Sequence, residues 1–297
     1  MLPVTFTGHI FRTTESGEPV NRFEPRIEVA IARTRAEVAR LHKTLQRGGL
    51  VSWTSGVVSG RVPGAELFVI KPGGLDHSEL SPERMVLVDL DGHVVEGTPG
   101  SEQPPSRGVA VHARLYREDP AIGGVVHTHS PYATAFALRG EPVPCVAAIV
   151  ADEFGGPIPV VAYAGPDEEI GGAIAATLAA QRSRAVLLER HGAYAVGAAA
   201  RDAVRAAALL EDAARAVQLA RAGLPEGGTI EPLAADIVDA LHERRLRSDA
   251  ERVAELATVG SYPTSRPGTA RPSGETGSWT TPESISSTPD NDVRNTQ

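Results

Sequence analysis

The sequence has a single cysteine, fewer basic than acidic residues and no long uninterrupted run of apolar residues. One cysteine, Cys145, excludes an internal disulfide and favours a reducing compartment. The 29 lysines and arginines are outnumbered by 37 aspartates and glutamates, which argues against a nucleic-acid partner because neutralising phosphates requires a basic face. No stretch of about 18 apolar residues is available to span a bilayer, so we expect no membrane partner.

The composition and its changes along the chain predict a globular body with irregular ends. The first residues lack the basic start and apolar run of a signal peptide, so we expect a cytoplasmic protein. An irregular N-terminal segment is predicted over residues 1–25 and one domain over 26–257. Residues 258–297 are rich in Ser, Thr, Pro and Gly and are predicted to be disordered, because they cannot bury enough apolar surface to offset their conformational entropy.

Helical and strand-like patterns alternate along the predicted domain. Apolar spacing and terminal signals predict helices over 26–46, 108–118, 132–139, 167–180, 200–222 and 232–247. Short apolar runs with turn signals lie between several of them, and Asp91-Gly92 is a hairpin signal. The mixture predicts an α/β fold, with helices packed on both faces of a mixed, mostly antiparallel central sheet.

Three histidines occupy positions that are typical of metal ligands. His127 and His129 are two residues apart at the end of an apolar run. Side chains alternate along a strand, so both imidazoles are expected on the same face. His191 follows a second apolar run and precedes Gly192, at a junction between strand and turn. Three imidazoles leave a coordination position open, which is typical of a catalytic metal site rather than a structural one.

The alternative for His127 and His129 is an ordinary surface pair, which is the more frequent meaning of an isolated His-x-His. The flanking valines and the third histidine favour the metal site. The remaining six histidines are predicted to lie in solvent or on helix surfaces, with His112 a partial exception that could support a metal ligand from behind. These six are His9, His42, His77, His93, His112 and His242.

Together the motifs resemble those of a known family. Over about residues 27–222 the sequence resembles the class II aldolase/adducin family, and within it the ribulose-phosphate 4-epimerases and fuculose-phosphate aldolases. The stretches that carry the resemblance are WTSGVVS, FVIKPGGLDHSEL, VLVDLDGHVVEG, HARLYREDPAIGGVVHTHSPYATAFA, ADEFGGPIP and AVLLERHGAYAVG. The resemblance implies a three-layer α/β/α fold, a zinc, manganese or other divalent ion on His127, His129 and His191, and a homotetramer with active sites between subunits.

The resemblance also implies that three short loops hold the substrate phosphate. The loops are Thr54-Ser55-Gly56, Lys71-Pro72-Gly73-Gly74 and Pro105-Ser106-Arg107. The first offers hydroxyl and backbone N–H groups, the second has glycines that allow close approach of a ligand, and the third precedes a helix N-terminus that favours anions. Taken singly, each loop is more simply an ordinary turn; taken with the histidines, they are predicted to bind substrate.

Several positions depart from the family pattern. Val57 stands where an asparagine is usual, and Arg107 and Gly108 stand where a serine and the catalytic acidic residue are usual. Glu102, or a shift in register, is the alternative source of that carboxylate. The C-terminal tyrosine of the epimerases has no clear match, since Tyr262 falls in the predicted tail. Asp152 matches an acidic residue that epimerases use across a subunit boundary, and it is the predicted proton-transfer residue; simple solvation of an acidic loop residue is the alternative.

The implied chemistry is cleavage of a carbon–carbon bond in a small sugar phosphate or related hydroxy-carbonyl compound, through an enediolate that the metal stabilises. Release of the aldehyde gives an aldolase, rotation and re-addition give a 4-epimerase, and loss of carbon dioxide gives a decarboxylase of a sugar-acid phosphate. The sequence leaves all three open. A non-catalytic, adducin-like interaction module is a further alternative, which the presence of all three histidines disfavours.

Overall fold

The computed structural model describes residues 23–225 and 228–259. His9, Tyr262, the predicted irregular segment up to residue 22 and the predicted tail from residue 260 lie outside the described residues. The contacts within the chain divide it into residues 1–252 and 253–297. In the second unit the structure describes only the end of a helix, up to Val259.

A seven-stranded sheet forms the centre of the first unit. Its strands are β1 (Val57–Arg61), β2 (Leu67–Ile70), β3 (Val86–Asp89), β4 (Gly124–Thr128), β5 (Val160–Val161), β6 (Ala185–Leu188) and β7 (Gly192–Gly197). They are ordered β3-β2-β1-β4-β7-β6-β5, and every neighbouring pair is antiparallel except β5 with β6. The central strands are buried on both faces, which explains why they are continuous apolar runs in the sequence.

Helices cover both faces of the sheet. They are α1 (Pro25–Arg47), α2 (Val109–Glu118), α3 (Pro131–Leu138), α4 (Ala148–Phe154), α5 (Asp167–Ala180), α6 (Ala200–Ala222) and α7 (Ala235–Val259), with short 3-10 turns at His77–Glu79 and Pro82–Arg84. Residues of α1, α3, α4 and α6 share one apolar core with the sheet, and residues of α2 and α5 share the other. The predicted three-layer α/β/α fold with a mixed, mostly antiparallel sheet is therefore confirmed.

Side chains of β4 point alternately to the two faces of the sheet, and this alternation determines the face on which His127 lies. Val126 belongs to the core beneath α1 and α6, whereas Val125 belongs to the core beneath α2 and α5. His127 is two residues from Val125, so it lies on the α2–α5 face. No helix in the two described ranges is long and apolar enough to cross a membrane.

The placement of four histidines at the surface is wrong. His42, His77 and His112 are completely buried, and His242 is nearly so. His42 uses both ring nitrogens in hydrogen bonds to backbone groups, which allows a polar ring to be buried without a large penalty. The loop assigned to Asp152 is also wrong, because this residue lies in the short helix α4.

Candidate metal centre

The end of β4 and the β6–β7 hairpin bring His127, His129 and His191 together. His127 is in β4, His129 follows the strand directly, and His191 lies in the three-residue turn between β6 and β7. In that turn Arg190 has a φ of 55° and the His191 N–H donates to the Leu188 carbonyl oxygen at 3.0 Å. One ring nitrogen of each histidine lies within 4.8 Å of the other two. The structure thus assembles all three predicted ligands.

Gly192 makes this approach possible. A Cβ at this position would lie 2.9 Å from His129 Cδ2 and 3.4 Å from His127 Cε1, and it would overlap the Thr128 carbonyl oxygen. Cβ contacts shorter than 3.0 Å, such as those with Thr128 and His129, are essentially never seen. A glycine after His191 is therefore required for the three rings to come together.

A backbone hydrogen bond orients the ring of His127. Its Nδ1 lies 3.0 Å from the Ala193 carbonyl oxygen, so Nδ1 carries the proton and Nε2 keeps its lone pair. Nε2 of His127 faces Nε2 of His191 at 3.1 Å. The ring nitrogens therefore converge on one point, where they could bind a metal ion. The Ala193 carbonyl oxygen would hold the ring of His127 in the orientation that this requires.

Burial favours the neutral imidazoles that a metal requires. Desolvation lowers the pKa of His127 well below its ordinary value, and the neighbouring His129 and His191 lower it further. Desolvation also lowers the pKa values of His129 and His191. A neutral imidazole is the metal-binding form, so the three side chains fit a divalent cation both in geometry and in charge.

The three predicted anion loops are joined to one another through Lys71. Its buried Nζ donates to the Thr54 carbonyl oxygen at 2.8 Å, which joins the second loop to the first. The Lys71 carbonyl oxygen accepts from the Ser106 N–H at 2.9 Å, which joins it to the third. The Gly73 N–H donates to the Pro104 carbonyl oxygen, also at 2.9 Å. Desolvation lowers the pKa of Lys71.

A hydrogen bond and close packing define the conformation of the first loop. The Ser55 carbonyl oxygen accepts a hydrogen bond from His77 Nε2 at 2.7 Å. The carbonyl and N–H of one peptide unit point in opposite directions, so the Gly56 N–H points away from His77. Gly56 has a φ of 79°, and a Cβ there would overlap the side chain of Val51. Both the backbone conformation and the space therefore require glycine at this position.

The loops adjoin the histidine cluster at two places. Val57, directly after the first loop, is the cross-strand partner of His127. Gly108, directly after the third loop, is the N-cap of α2, and a Cβ there would lie 3.9 Å from the hydroxyl oxygen of Tyr194. The ring of Tyr194 stacks on that of His127, with centroids 4.2 Å apart. In the third loop Ser106 is buried, whereas Arg107 is exposed.

Two tyrosines at the centre were not predicted from the sequence. Tyr194 lies opposite His127 in the β4–β7 pairing, and burial raises its pKa, which keeps the phenol neutral. Tyr163 stacks on His191 at 5.3 Å and lines a cleft of about 510 Å³ with Glu189, Arg190 and His191. In the sequence, Tyr194 is visible only as a residue two positions after Gly192 in a strand-like run. The register of β7 on β4 is what places it on His127.

Asp152 lies in a separate cluster of charges within the chain. Its carboxylate oxygens are 3.8 Å from Arg244 and Arg245, both on α7. Next to it Glu153 is 3% exposed and pairs with Arg205 at 3.2 Å and Arg245 at 3.3 Å. The acidic pair is thus engaged by arginines rather than simply solvated, and a role of Asp152 in proton transfer stays a prediction.

The fold and the site define an α/β protein with a cluster of three histidines suited to a divalent metal ion, next to the three predicted anion loops. Residues 36–218 match the family described as Class II Aldolase and Adducin N-terminal domain, and the chain belongs to this family. It is 38% identical over 187 residues to L-ribulose-5-phosphate 4-epimerase UlaF of Salmonella paratyphi B, covering 60% of this chain and 80% of the relative.

Solved structures agree with this assignment. An L-fuculose 1-phosphate aldolase matches 71% of this chain and 95% of its own, with a TM-score of 0.64 and 27% identity. YgbL of Klebsiella pneumoniae matches 71% of this chain and 99% of its own, with a TM-score of 0.60 and 30% identity. The predicted family and the prediction of a class II aldolase-family enzyme are confirmed.

Proposed function

We propose that this chain is a divalent-metal-dependent lyase or epimerase that acts on a small sugar phosphate. The observation that carries the proposal is the convergence of three imidazole nitrogens, within 4.8 Å of one another, beside loops joined by Lys71. The names of the relatives, an L-ribulose-5-phosphate 4-epimerase and an L-fuculose 1-phosphate aldolase, support a phosphorylated hydroxy-carbonyl substrate.

A divalent cation held by His127, His129 and His191 would polarise the substrate carbonyl and stabilise the enediolate left when the adjacent carbon–carbon bond breaks. The residues of the chain position the substrate. Hydroxyl and N–H groups of the first loop, the glycines of the second and the start of α2 in the third would hold the phosphate. These residues are Thr54, Ser55, Gly56, Gly73, Gly74, Ser106 and Arg107.

The finer assignments are also proposals. Zinc is our first choice of ion, with manganese the alternative, because three imidazoles with an open position are typical of catalytic zinc. We propose a homotetramer in which Asp152 transfers a proton at the site of a neighbouring subunit. We also propose a cytoplasmic location, which the single unpaired cysteine, Cys145, supports.

Decarboxylation of a sugar-acid phosphate is the second candidate reaction. Arg107 is exposed beside the gap at Gly108, and a guanidinium suits a carboxylate as well as a phosphate. A non-catalytic, adducin-like interaction module is the third candidate function. Failure of the three histidines to bind a metal ion would favour it.

A turnover screen distinguishes these candidates. L-ribulose 5-phosphate, L-fuculose 1-phosphate and aldonate phosphates are incubated with the zinc- or manganese-loaded protein, and the epimer, dihydroxyacetone phosphate and carbon dioxide are measured. We expect one of these products from wild type and from His93→Ala, an exposed control, and none from His191→Ala. A metal-loaded wild type that transforms none of the compounds would contradict the proposed reaction class.

A further inference from the structure

Gly108 leaves a gap beside the metal centre. A Cβ at this position would meet only the Tyr194 hydroxyl oxygen at 3.9 Å and His112 Cδ2 at 4.0 Å, which are ordinary van der Waals distances. The φ of Gly108 is −75°, a value that any residue adopts. Neither the backbone nor the neighbouring atoms therefore require glycine, and the position has room for at least a Cβ.

The side chain of Tyr194 packs against two histidine rings at this gap. Its ring is stacked on His127 with an interplanar angle of 17°, and the ring of His112 approaches it edge-on at 6.2 Å. The residue is only 4% exposed. Because β7 pairs with β4, the backbone of Tyr194 lies directly opposite that of His127. The position of the hydroxyl is thus fixed relative to a metal ligand.

Two polar atoms at the gap lack partners in the described part of the chain. The Tyr194 hydroxyl makes no hydrogen bond there, and it is not fully buried, so a ligand can reach it. His112 bonds through Nδ1 to Ser59 Oγ at 2.7 Å, whereas its buried Nε2 is unpartnered. Unpartnered polar atoms beside a gap that borders the metal ligands indicate a place for a polar ligand.

We propose that Tyr194 contacts the substrate and that its hydroxyl donates a hydrogen bond to a substrate oxygen lying in the gap at Gly108. A neutral phenol is a hydrogen-bond donor, so it stabilises negative charge that develops on that oxygen during the reaction. This role rests on the proposed function, because it assigns Tyr194 to the same substrate that the three histidines and the anion loops bind.

Tyr194→Phe tests the role because it removes the hydroxyl and leaves the ring on His127. We expect kcat for the substrate found in the screen to fall by about 10²-fold, as for the loss of one donor to a developing oxyanion. Metal content and the thermal midpoint should stay as in wild type. The matched control is Tyr132→Phe on α3, which packs against the core on the opposite face of the sheet; it should leave both kcat and the metal content unchanged.

Binding provides a readout that does not depend on turnover. Calorimetry with dihydroxyacetone phosphate and metal-loaded protein should show affinity about tenfold weaker for Tyr194→Phe than for wild type. In a Gly108→Glu background the same substitution should have less than half this effect, because the carboxylate fills the gap and accepts the hydrogen bond.

The possible results separate the two proposals. Equal binding and equal kcat for wild type and Tyr194→Phe would overturn the role of Tyr194 and leave the proposed function intact. Loss of the metal from Tyr194→Phe would also overturn it, since the residue would then support His127 rather than contact substrate. A metal-loaded wild type that neither binds dihydroxyacetone phosphate nor transforms any compound of the screen would overturn both.

Discussion

Acidification should destabilise the protein through His42, which is completely buried on α1. Its Nδ1 donates to the Val38 carbonyl oxygen at 2.8 Å, and its Nε2 accepts from the Val58 N–H at 2.9 Å. Burial is the main cause that lowers the pKa of His42 from 6.5 to about 3. Protonation of Nε2 would replace the acceptor of the Val58 N–H with a second donor.

The sign and size of the effect follow from the two pKa values. The unfolded state binds more protons than the folded state between about pH 6.5 and pH 3. The contribution of His42 is therefore complete above pH 6.5 and is lost as the pH falls towards 3. At pH 5 the ring is mostly protonated in the unfolded chain only, which corresponds to a loss of about 2 kcal/mol relative to pH 7.

Urea unfolding of metal-free protein at pH 7, 6 and 5 measures this loss. His42→Gln should be less stable than wild type at pH 7, because one amide cannot reproduce both hydrogen bonds. The difference in free energy of unfolding between the two proteins should shrink by about 2 kcal/mol at pH 5, since glutamine does not titrate. An unchanged difference from pH 7 to pH 5 would refute the reasoning.

Four further substitutions test the loops and the packing around them. Gly56→Ala should lower the free energy of unfolding by about 2–4 kcal/mol, because its φ is left-handed and an added Cβ would overlap Val51. Gly74→Ala should lower it by only about 1–2 kcal/mol, because its φ of 76° is also left-handed but the space around it is open. Equal losses of the two variants in urea unfolding would contradict the overlap with Val51. Glu211→Gln should cost about 1–3 kcal/mol, because both carboxylate oxygens accept N–H groups at the start of α3, and an unchanged thermal midpoint would contradict this. Gly108→Glu should keep or slightly raise the thermal midpoint, because a Cβ fits at this position and the start of α2 favours an anion. A fall of several degrees would show that the protein has no room for the added side chain.

The cluster of three histidines could be predicted because its sequence signal is local. The spacing of His127 and His129 reflects the end of one strand, and the glycine after His191 reflects one tight turn. The same holds for the glycines of the predicted anion loops, because a left-handed φ or a close approach requires glycine at one position, as at Gly56.

Contacts between distant segments could not be predicted in this way. Tyr194 reaches His127 only through the register of β7 on β4. Lys71 and His77 are polar residues whose burial the sequence does not indicate, yet carbonyl oxygens of the first loop accept a hydrogen bond from each of them in the interior. His42 was misplaced for the same reason, since its partners include the backbone of β1.

Metal content measures the three-histidine centre most directly. Purified protein is incubated with zinc or manganese, freed of unbound ion by gel filtration and analysed by mass spectrometry of the elements. We expect about one ion per chain for wild type and none for His127→Ala. The control is His93→Ala, because Asp89, Asp91 and His93 form the other group of possible ligands among the described residues. Retention of the ion in His127→Ala, or a wild type that binds none, would contradict a metal centre at these histidines.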